Sequence, residues 1–204
     1  NGAALTVSPV TTITNNVIGN STAGAADQVY AMGITAQGIS TGSVIADNTV
    51  YVESFSSTTN FLVGIDVGGI NANASNAVIE RNFVNRVRNN SVSTFGAVGI
   101  NLAGTTALTL RNNFISNINQ DMTGGAAFST SFGVMGIRIA AGTNYNIDHN
   151  SVHISGARTG TPTTSFLSSA LAITVATSTG HNVRNNILSN TLTGGTTSIA
   201  CVSL

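Results

Sequence analysis

Apolar side chains flank one asparagine in six segments of the chain. Three residues before this Asn stands Ile, Leu or Val, and two residues after it stands Ile, Val or Leu. Successive asparagines are separated by 32, 34, 31, 37 and 36 residues. The six are Asn16, Asn48, Asn82, Asn113, Asn150 and Asn186. A recurring period of this length indicates a repeat architecture.

A second apolar pattern begins with a small residue and lies between successive asparagines. A Gly or Ala is followed at once by Ile, and in the later copies by another apolar residue two positions further on. The pairs are Gly33-Ile34, Gly64-Ile65, Gly99-Ile100, Gly136-Ile137 and Ala172-Ile173. Alternating apolar positions predict a short strand with one buried face.

The two patterns divide the chain into six repeats, each with about three short strands separated by bends. Gly, Asn and β-branched residues crowd every window, and these are poor helix formers. The sequence therefore predicts an all-β fold, a parallel β-solenoid in which each repeat forms one rung and rungs stack roughly 4.8 Å apart. We expect one domain, 1–204, with repeats at about 2–32, 33–63, 64–98, 99–135, 136–171 and 172–204.

The recurring asparagines are predicted to stack as a ladder at a tight bend between two strands. Asn tolerates left-handed backbone conformations, and its amide carries both a donor and an acceptor for the asparagines above and below. A ligand-binding row of asparagines is the alternative, and the structural ladder is favoured.

Charged residues make up only 7% of the chain, with seven acidic and seven basic side chains, and every basic residue is Arg. A neutral chain of this kind lacks the basic surface that nucleic acid or an anionic membrane requires. The charges also fall on the repeat, because the position two residues before the ladder Asn carries Glu80, Arg111, Asp148 and Arg184 in successive rungs. We expect an outer charge ladder there, with Asp47 and Arg81 as a further opposite pair.

Membrane insertion and disulfide bonding are not indicated by the sequence. The stretch 159–180 has no charged residue, but Pro, Gly, Ser and Thr dilute it, and it is interpreted as a core strand. Cys201 is the lone cysteine, so no internal disulfide can form.

Catalytic and metal-binding patterns are weak. Asp47, Glu80, Asp148, Arg111 and His149 could serve as acid, base or cation ligands, yet no two carboxylates stand in adjacent rungs of one column. His149 and His153 have a metal-ligand spacing only on a helix, whereas this segment turns a corner. We expect no catalytic residue, no metal and no cofactor.

The Ile-x-x-Asn-x-Ile/Val repeat resembles the right-handed parallel β-helices of the pectate-lyase-like superfamily. The local sequence of the repeat, as in Asn-Asn-Phe-Ile-Ser-Asn-Ile at 112–118, resembles the β-helix arrays of large secreted surface proteins of Bacteroidota. The resemblance implies a right-handed coil and an extracellular, non-catalytic stalk, adhesin or filament protein. A polysaccharide-binding or polysaccharide-cleaving β-helix is the alternative.

The repeat also predicts how the coil continues. The chain spans six units and stops close to a unit boundary, and neither end carries a segment that could cap the stack. We expect further rungs, either in the same polypeptide or through head-to-tail stacking of copies into a homo-oligomer or fibre. A glycan or a host-surface ligand is a further possible partner.

Overall fold

The computed structural model of the chain describes residues 10–22, 32–55, 62–68, 74–90, 96–120, 133–157, 166–193 and 197–204. Every regular element within these ranges is a β-strand. The strands pair in parallel and form three sheets, each with a stack of six strands that recur once per turn of the coil. The parallel β-solenoid predicted from the repeat is confirmed.

The three sheets are made of the following strands in stacking order. The first sheet contains β1 (Thr12–Thr14), β4 (Val44–Ala46), β7 (Val78–Glu80), β10 (Thr109–Arg111), β14 (Asn146–Asp148) and β17 (Asn182–Arg184). The second contains β2 (Val17–Ile18), β5 (Thr49–Ser54), β8 (Phe83–Asn89), β11 (Phe114–Ser116), β15 (Ser151–Ile154) and β18 (Ile187–Asn190), and the short β12 (Asn119–Gln120) also pairs with β8. The third contains β3 (Met32–Ala36), β6 (Leu62–Val67), β9 (Ala97–Leu102), β13 (Val134–Ile139), β16 (Phe166–Ile173) and β19 (Thr197–Ser203).

The apolar positions around the ladder Asn stack in the register that the repeat predicts. The column in the first sheet is Ile13, Ile45, Ile79, Leu110, Ile147 and Val183. The column in the second sheet is Ile18, Val50, Val84, Ile115, Val152 and Leu188. Their middle members are 0–1% exposed. These two columns therefore flank the asparagine bend and belong to one continuous core.

The alignment of the last repeat in the third sheet differs from the prediction by two residues. Ile137 pairs with Leu171, and Ile139 pairs with Ile173, so the pair Ala172-Ile173 does not follow Gly136-Ile137 in register. A shift of two preserves the side of the sheet that each side chain faces, because strand side chains alternate with period two. The apolar pattern alone could not separate the two registers. The next strand in this sheet, β19, continues the shifted register, because Val202 pairs with Leu171.

The recurring glycine of the third sheet is required by close packing inside the coil. A Cβ on Gly64 would lie 2.5 Å from Cγ1 of Val84 and 2.6 Å from the carbonyl oxygen of Gly99. Real Cβ atoms do not approach other atoms so closely, so a side chain here would push the second and third sheets apart. Gly at this position therefore sets how tightly the rung can close.

The stretch 159–180 contains a core strand, as predicted. Ser168, Ala170 and Leu171 in β16 are 0–1% exposed. No helix able to cross a membrane occurs among the described residues.

Tyr145 fills the corner that precedes the first sheet. Its ring is fully buried, and its hydroxyl lies 2.8 Å from the carbonyl oxygen of Gly104 and 2.9 Å from that of Ala141. Burial raises the pKa of this hydroxyl, although the bond to Gly104 opposes the rise. The side chain is thus a structural element of the core.

Candidate functional site

The asparagine ladder is a continuous chain of amide hydrogen bonds through the bend between the first and second sheets. The backbone N–H and side-chain Nδ2 of Asn82 both donate to Oδ1 of Asn113, at 3.0 and 2.9 Å. The same two bonds join each ladder Asn to the next, from Asn16 to Asn186, at distances of 2.9–3.1 Å. Every bond points in the same direction, so the ladder has a donor end and an acceptor end.

From Asn48 onward, each ladder amide also donates to a backbone carbonyl of the preceding rung. Nδ2 of Asn82 donates to the carbonyl oxygen of Ile45 at 2.9 Å, and Nδ2 of Asn113 donates to that of Ile79 at 3.0 Å. The four internal asparagines are only 1–2% exposed. Because a buried amide without partners is costly, the ladder requires an Asn in every rung.

The left-handed backbone conformation at this bend belongs to the residue before the ladder Asn, which corrects the expectation from sequence. Those residues have φ between 53° and 59°, whereas the ladder asparagines do not have positive φ. They are Asn15, Asp47, Arg81, Asn112, His149 and Asn185. Asn occupies the ladder for its amide bonding alone, and the left-handed position accepts several polar residue types.

The outer charge ladder lies in one column of the first sheet, with Glu80, Arg111, Asp148 and Arg184 in register. Nε of Arg111 lies 2.6 Å from Oε2 of Glu80, and Nη2 of Arg184 lies 3.5 Å from Oδ2 of Asp148. Within the described chain no ion pair joins Arg111 to Asp148. The column therefore consists of two ion pairs.

Glu80 is more enclosed than an outer position suggests. It is 8% exposed and forms ion pairs with both Arg81 and Arg111. Burial disfavours its charged form, but the hydrogen bonds from Arg111 and Arg81 outweigh burial and lower the pKa of the carboxyl. Glu80 is thus held as a carboxylate by two guanidinium groups.

Asp47 and Arg81 form the opposite pair predicted from their positions. Nε and Nη2 of Arg81 donate to the two carboxylate oxygens of Asp47, each at 2.9 Å. The hydrogen bond from Arg81 lowers the pKa of Asp47. The side chains are 50% and 38% exposed, so water screens the pair.

The third sheet carries a second polar column on its outer face. Asp66, Asn101 and Arg138 occupy successive rungs in register, and Nδ2 of Asn101 donates to Oδ1 of Asp66 at 2.7 Å. Asp66 is 2% exposed, and this burial raises its pKa although Asn101 and Arg138 act in the opposite direction. Burial lowers the pKa of Arg138. Of the carboxyl groups considered from sequence as catalytic candidates, none belongs to this column.

A buried ion pair between the neighbouring strands β5 and β8 of the second sheet was not predicted from the sequence. Arg86 forms an ion pair with Glu53, and their side chains are 11% and 10% exposed. Nδ2 of Asn90 also donates to Glu53 at 2.8 Å. The pair depends on a bulge, since Val52 pairs with Val87 while Val50 pairs with Val84. The sequence does carry a signal for this bulge: Val84 and Val87 in β8 are three residues apart, whereas their partners Val50 and Val52 in β5 are two apart.

Two phenylalanine rings stack on the exposed face of the second sheet. The centroids of Phe83 and Phe114 lie 5.5 Å apart with an interplanar angle of 9°, and the residues are 37% and 47% exposed. Tyr51 packs edge-on against Phe83 at 6.3 Å. Repeat stacking brings these rings together because both follow a ladder Asn directly.

The three histidines do not converge. Nε2 of His153 lies 3.2 Å from Oγ1 of Thr191, and Nε2 of His149 lies 3.4 Å from Nδ2 of Asn185. Nε2 of His181 forms a hydrogen bond with the hydroxyl of Ser178, and Nδ1 accepts one from the backbone N–H of Tyr145. Burial lowers the pKa of His181. No group of three His, Cys, Asp or Glu side chains suited to a metal ion occurs in the part of the chain that the structure describes.

Known proteins offer no match to this chain. Comparison with protein-family models, with curated proteins and with solved structures gives no match. Functional inference therefore depends on the geometry of the coil itself.

The two edges of the described coil carry unused bonding groups and exposed apolar side chains. Among the described residues no group donates to Oδ1 of Asn16, and the backbone N–H of Asn186 has no acceptor. Val183, which belongs to the inner column of the first sheet, is 40% exposed in the last described rung, whereas Val17 and Ile187, 75% and 70% exposed, lie on the outer face in the column of Phe83 and Phe114.

Proposed function

We propose that this chain is a non-catalytic structural segment of a bacterial cell exterior, a β-solenoid stalk, adhesin or filament subunit whose rungs stack end to end. The observation that carries the proposal is the unbroken asparagine ladder from Asn16 to Asn186, which repeats the same bonds in every rung. A coil held by the same hydrogen bonds in every rung can be lengthened by adding rungs of the same kind.

The resemblance of the repeat makes the proposal more specific. We place the coil among right-handed β-helices of the pectate-lyase-like kind and among the secreted surface arrays of Bacteroidota. The bends carry uncharged asparagines and the chain has few charges and no net charge. These properties are compatible with self-association, because little electrostatic repulsion opposes stacking.

Electron microscopy and sedimentation of the purified chain test the structural role. We expect elongated particles whose length increases with protein concentration, because every new junction repeats the internal stacking. Discrete short particles at all concentrations would contradict end-to-end assembly. Labelling intact and permeabilised source cells with an antibody tests the exterior location, and labelling only after permeabilisation would contradict it.

A polysaccharide-binding or polysaccharide-cleaving function is the second candidate. The stacked Phe83 and Phe114 favour it, since an exposed pair of aromatic rings offers a surface on which a sugar ring can pack. Incubation with neutral and acidic polysaccharides, followed by measurement of new chain ends, distinguishes the two. Turnover that is lost in a Glu80→Gln variant would favour the enzyme over the structural protein.

A further inference from the structure

His181 lies at the corner that directly precedes β17 and forms hydrogen bonds through both ring nitrogens. Its Nε2 lies 2.9 Å from Oγ of Ser178, and its Nδ1 accepts a bond of 3.2 Å from the backbone N–H of Tyr145. The hydroxyl of Ser178 in turn donates to the carbonyl oxygen of Gly142 at 2.7 Å. The group joins two stacked corners, because Gly142 and Tyr145 lie one rung before Ser178 and His181.

The directions of these bonds assign the protonation state of the imidazole. A backbone amide can only donate, so Nδ1 of His181 carries no proton where it accepts from Tyr145. A neutral imidazole has one N–H, which is therefore at Nε2 and donates to Oγ of Ser178. Ser178 accepts this bond while its own proton is directed to Gly142, so all three bonds are compatible. His181 is thus neutral and in the Nε2–H form.

The same directions exclude a serine nucleophile activated by His181. Ser178 and His181 have the separation of a nucleophile and its general base. A base must accept the hydroxyl proton, whereas Nε2 of His181 donates and the Ser178 proton is held by the carbonyl oxygen of Gly142. Ser178 is also only 7% exposed. These residues therefore form a structural contact between two rungs.

A serine makes the equivalent contact in an earlier rung. Residues 43 and 181 occupy the same position of the repeat, directly before β4 and β17. The backbone N–H of Thr11 donates to Oγ of Ser43 at 3.0 Å, as that of Tyr145 donates to Nδ1 of His181. A serine hydroxyl does not titrate in the physiological pH range, whereas an imidazole accepts this bond only while it is neutral. His181 therefore makes the contact sensitive to protons.

The groups beside the ring supply no negative charge that would favour protonation. Tyr145 packs against it with ring centroids 5.0 Å apart. Arg184, the charged residue of β17, pairs with Asp148 on the outer face. Burial lowers the pKa of His181, and a hydrogen bond to the backbone of Ser178 opposes this change without reversing it. The neighbouring side chains of β16, β17 and β19 include the apolar Leu171, Ile173, Val183 and Val202.

We propose that His181 is a pH-sensitive latch, which joins the corner before β17 to the corner before β14 while it is neutral and releases it once it is protonated. Protonation places a hydrogen on Nδ1 opposite the N–H of Tyr145, so two donors face each other and a fully buried residue loses its acceptor. The backbone bonds on either side, from Asn144 to Thr179 and from Asn182 to Tyr145, then lose the contact that lies between them. This regulation goes beyond the proposed structural role and applies equally to a coil that binds polysaccharide.

Acid weakens this latch. Because the pKa of His181 is lower in the folded chain, the unfolded chain binds the proton more tightly. The contribution of the latch to stability is complete above the ordinary pKa of 6.5 and decreases as the pH falls from there through the folded value.

Nuclear magnetic resonance of the unmodified chain, with isotope-labelled histidine, tests the protonation state directly. We expect the Nε2–H form of His181 at about pH 7.5. Its titration midpoint should lie below those of His149 and His153, which are exposed. An Nδ1–H form, or a midpoint at or above those of the two exposed rings, would overturn the latch.

Hydrogen exchange measured as His181 titrates tests the release. We expect the protection factor of the Tyr145 amide to fall about fivefold relative to that of the buried Ile79 amide in the middle of the first sheet, because one hydrogen bond is lost. His181→Ser, which copies Ser43, keeps an acceptor that does not titrate and should remove this pH dependence. The matched control His153→Ser, at an exposed histidine, should retain it. A parallel fall at Tyr145 and Ile79, or a fall that persists in His181→Ser, would contradict the proposal.

Discussion

The bend between the first and second sheets carries two stacked columns that differ in chemistry and in burial. On its inner side, neutral amides such as Asn82 and Asn113 are 1–2% exposed and make two bonds to the next rung. On its outer side, Glu80 and Asp148 pair with arginines whose side chains are 48% and 58% exposed. A substitution in the inner column breaks hydrogen bonds that water cannot replace, because the column is buried. In the outer column, water reaches the arginines and screens the ion pairs.

The difference explains why the sparse charges are placed as they are. A buried stack of charged groups would require desolvation of each group, and like charges in successive rungs would repel one another. Amides carry both a donor and an acceptor, so identical residues can stack without limit. The chain therefore uses neutral amides for the buried stack at this bend and pairs the enclosed Glu80 and Asp148 with arginines that reach water.

Removing an internal ladder amide should produce the largest effect. Asn82→Ala leaves the buried N–H and Nδ2 of Asn48 without their shared acceptor, and it removes the Nδ2 donor to Oδ1 of Asn113 and to the carbonyl oxygen of Ile45, while the backbone N–H of residue 82 still donates to Asn113. We expect a loss of about 3 kcal/mol in the free energy of unfolding, measured by urea denaturation. Asn16→Ala, at the exposed edge, is the matched control and should lose less than half as much. Equal losses would show that burial does not distinguish the middle of the ladder from its edge.

Adding one methyl group inside the coil should have the next largest effect. A Cβ on Gly99 would lie 2.5 Å from both Cγ2 of Ile115 and the carbonyl oxygen of Gly136. Gly99→Ala should therefore cost about 2 kcal/mol, seen as a lower urea midpoint. Gly38→Ala is the control, because a Cβ there meets no atom within 4 Å and only the left-handed backbone opposes it. If the control variant lost as much stability, backbone conformation rather than packing would explain the glycine column.

The enclosed carboxylate should show a smaller, pH-dependent effect. Because the pKa of Glu80 is lowered in the folded chain, its contribution is present above its unfolded pKa and is lost as pH falls through the folded pKa. Glu80→Gln should cost about 1 kcal/mol at pH 7 and should flatten the decline in stability below about pH 5. Urea midpoints measured at several pH values check both expectations.

Asp66 provides the control with the opposite sign. Burial raises its pKa, so stability is greater below its unfolded pKa and decreases as pH rises through the folded value. Asp66→Asn should therefore leave stability unchanged or increase it at pH 7. A loss in Asp66→Asn as large as that in Glu80→Gln would contradict the different environments of the two carboxyl groups.

The exposed ion pair should show the smallest effect. Asp47→Asn removes the two hydrogen bonds from Arg81, which water can replace. We expect a urea midpoint within experimental error of the parent, with any difference abolished by high salt. A larger loss than in Glu80→Gln would reverse the proposed order of the two columns.

The columns around Asn82 could be predicted because residues one repeat apart in the sequence become neighbours in space when the rungs stack. The same principle placed Arg111 beside Glu80 and Arg81 beside Asp47. It failed at Leu171, where a two-residue shift leaves the inward and outward pattern unchanged. The ion pair between Glu53 and Arg86 was missed because it depends on an extra residue in one strand.

The recurring Asn and its apolar neighbours by themselves determined the parallel coil, the sheet that each motif residue enters and the existence of the ladder. These follow from the sequence because equivalent residues must meet when repeats stack. Only the tertiary structure decided which residue takes the left-handed conformation, how deeply Glu80 and Asp66 are buried, and which direction the ladder amides point. Those properties depend on the path of the backbone and on the surroundings of each side chain, and a period in sequence specifies neither.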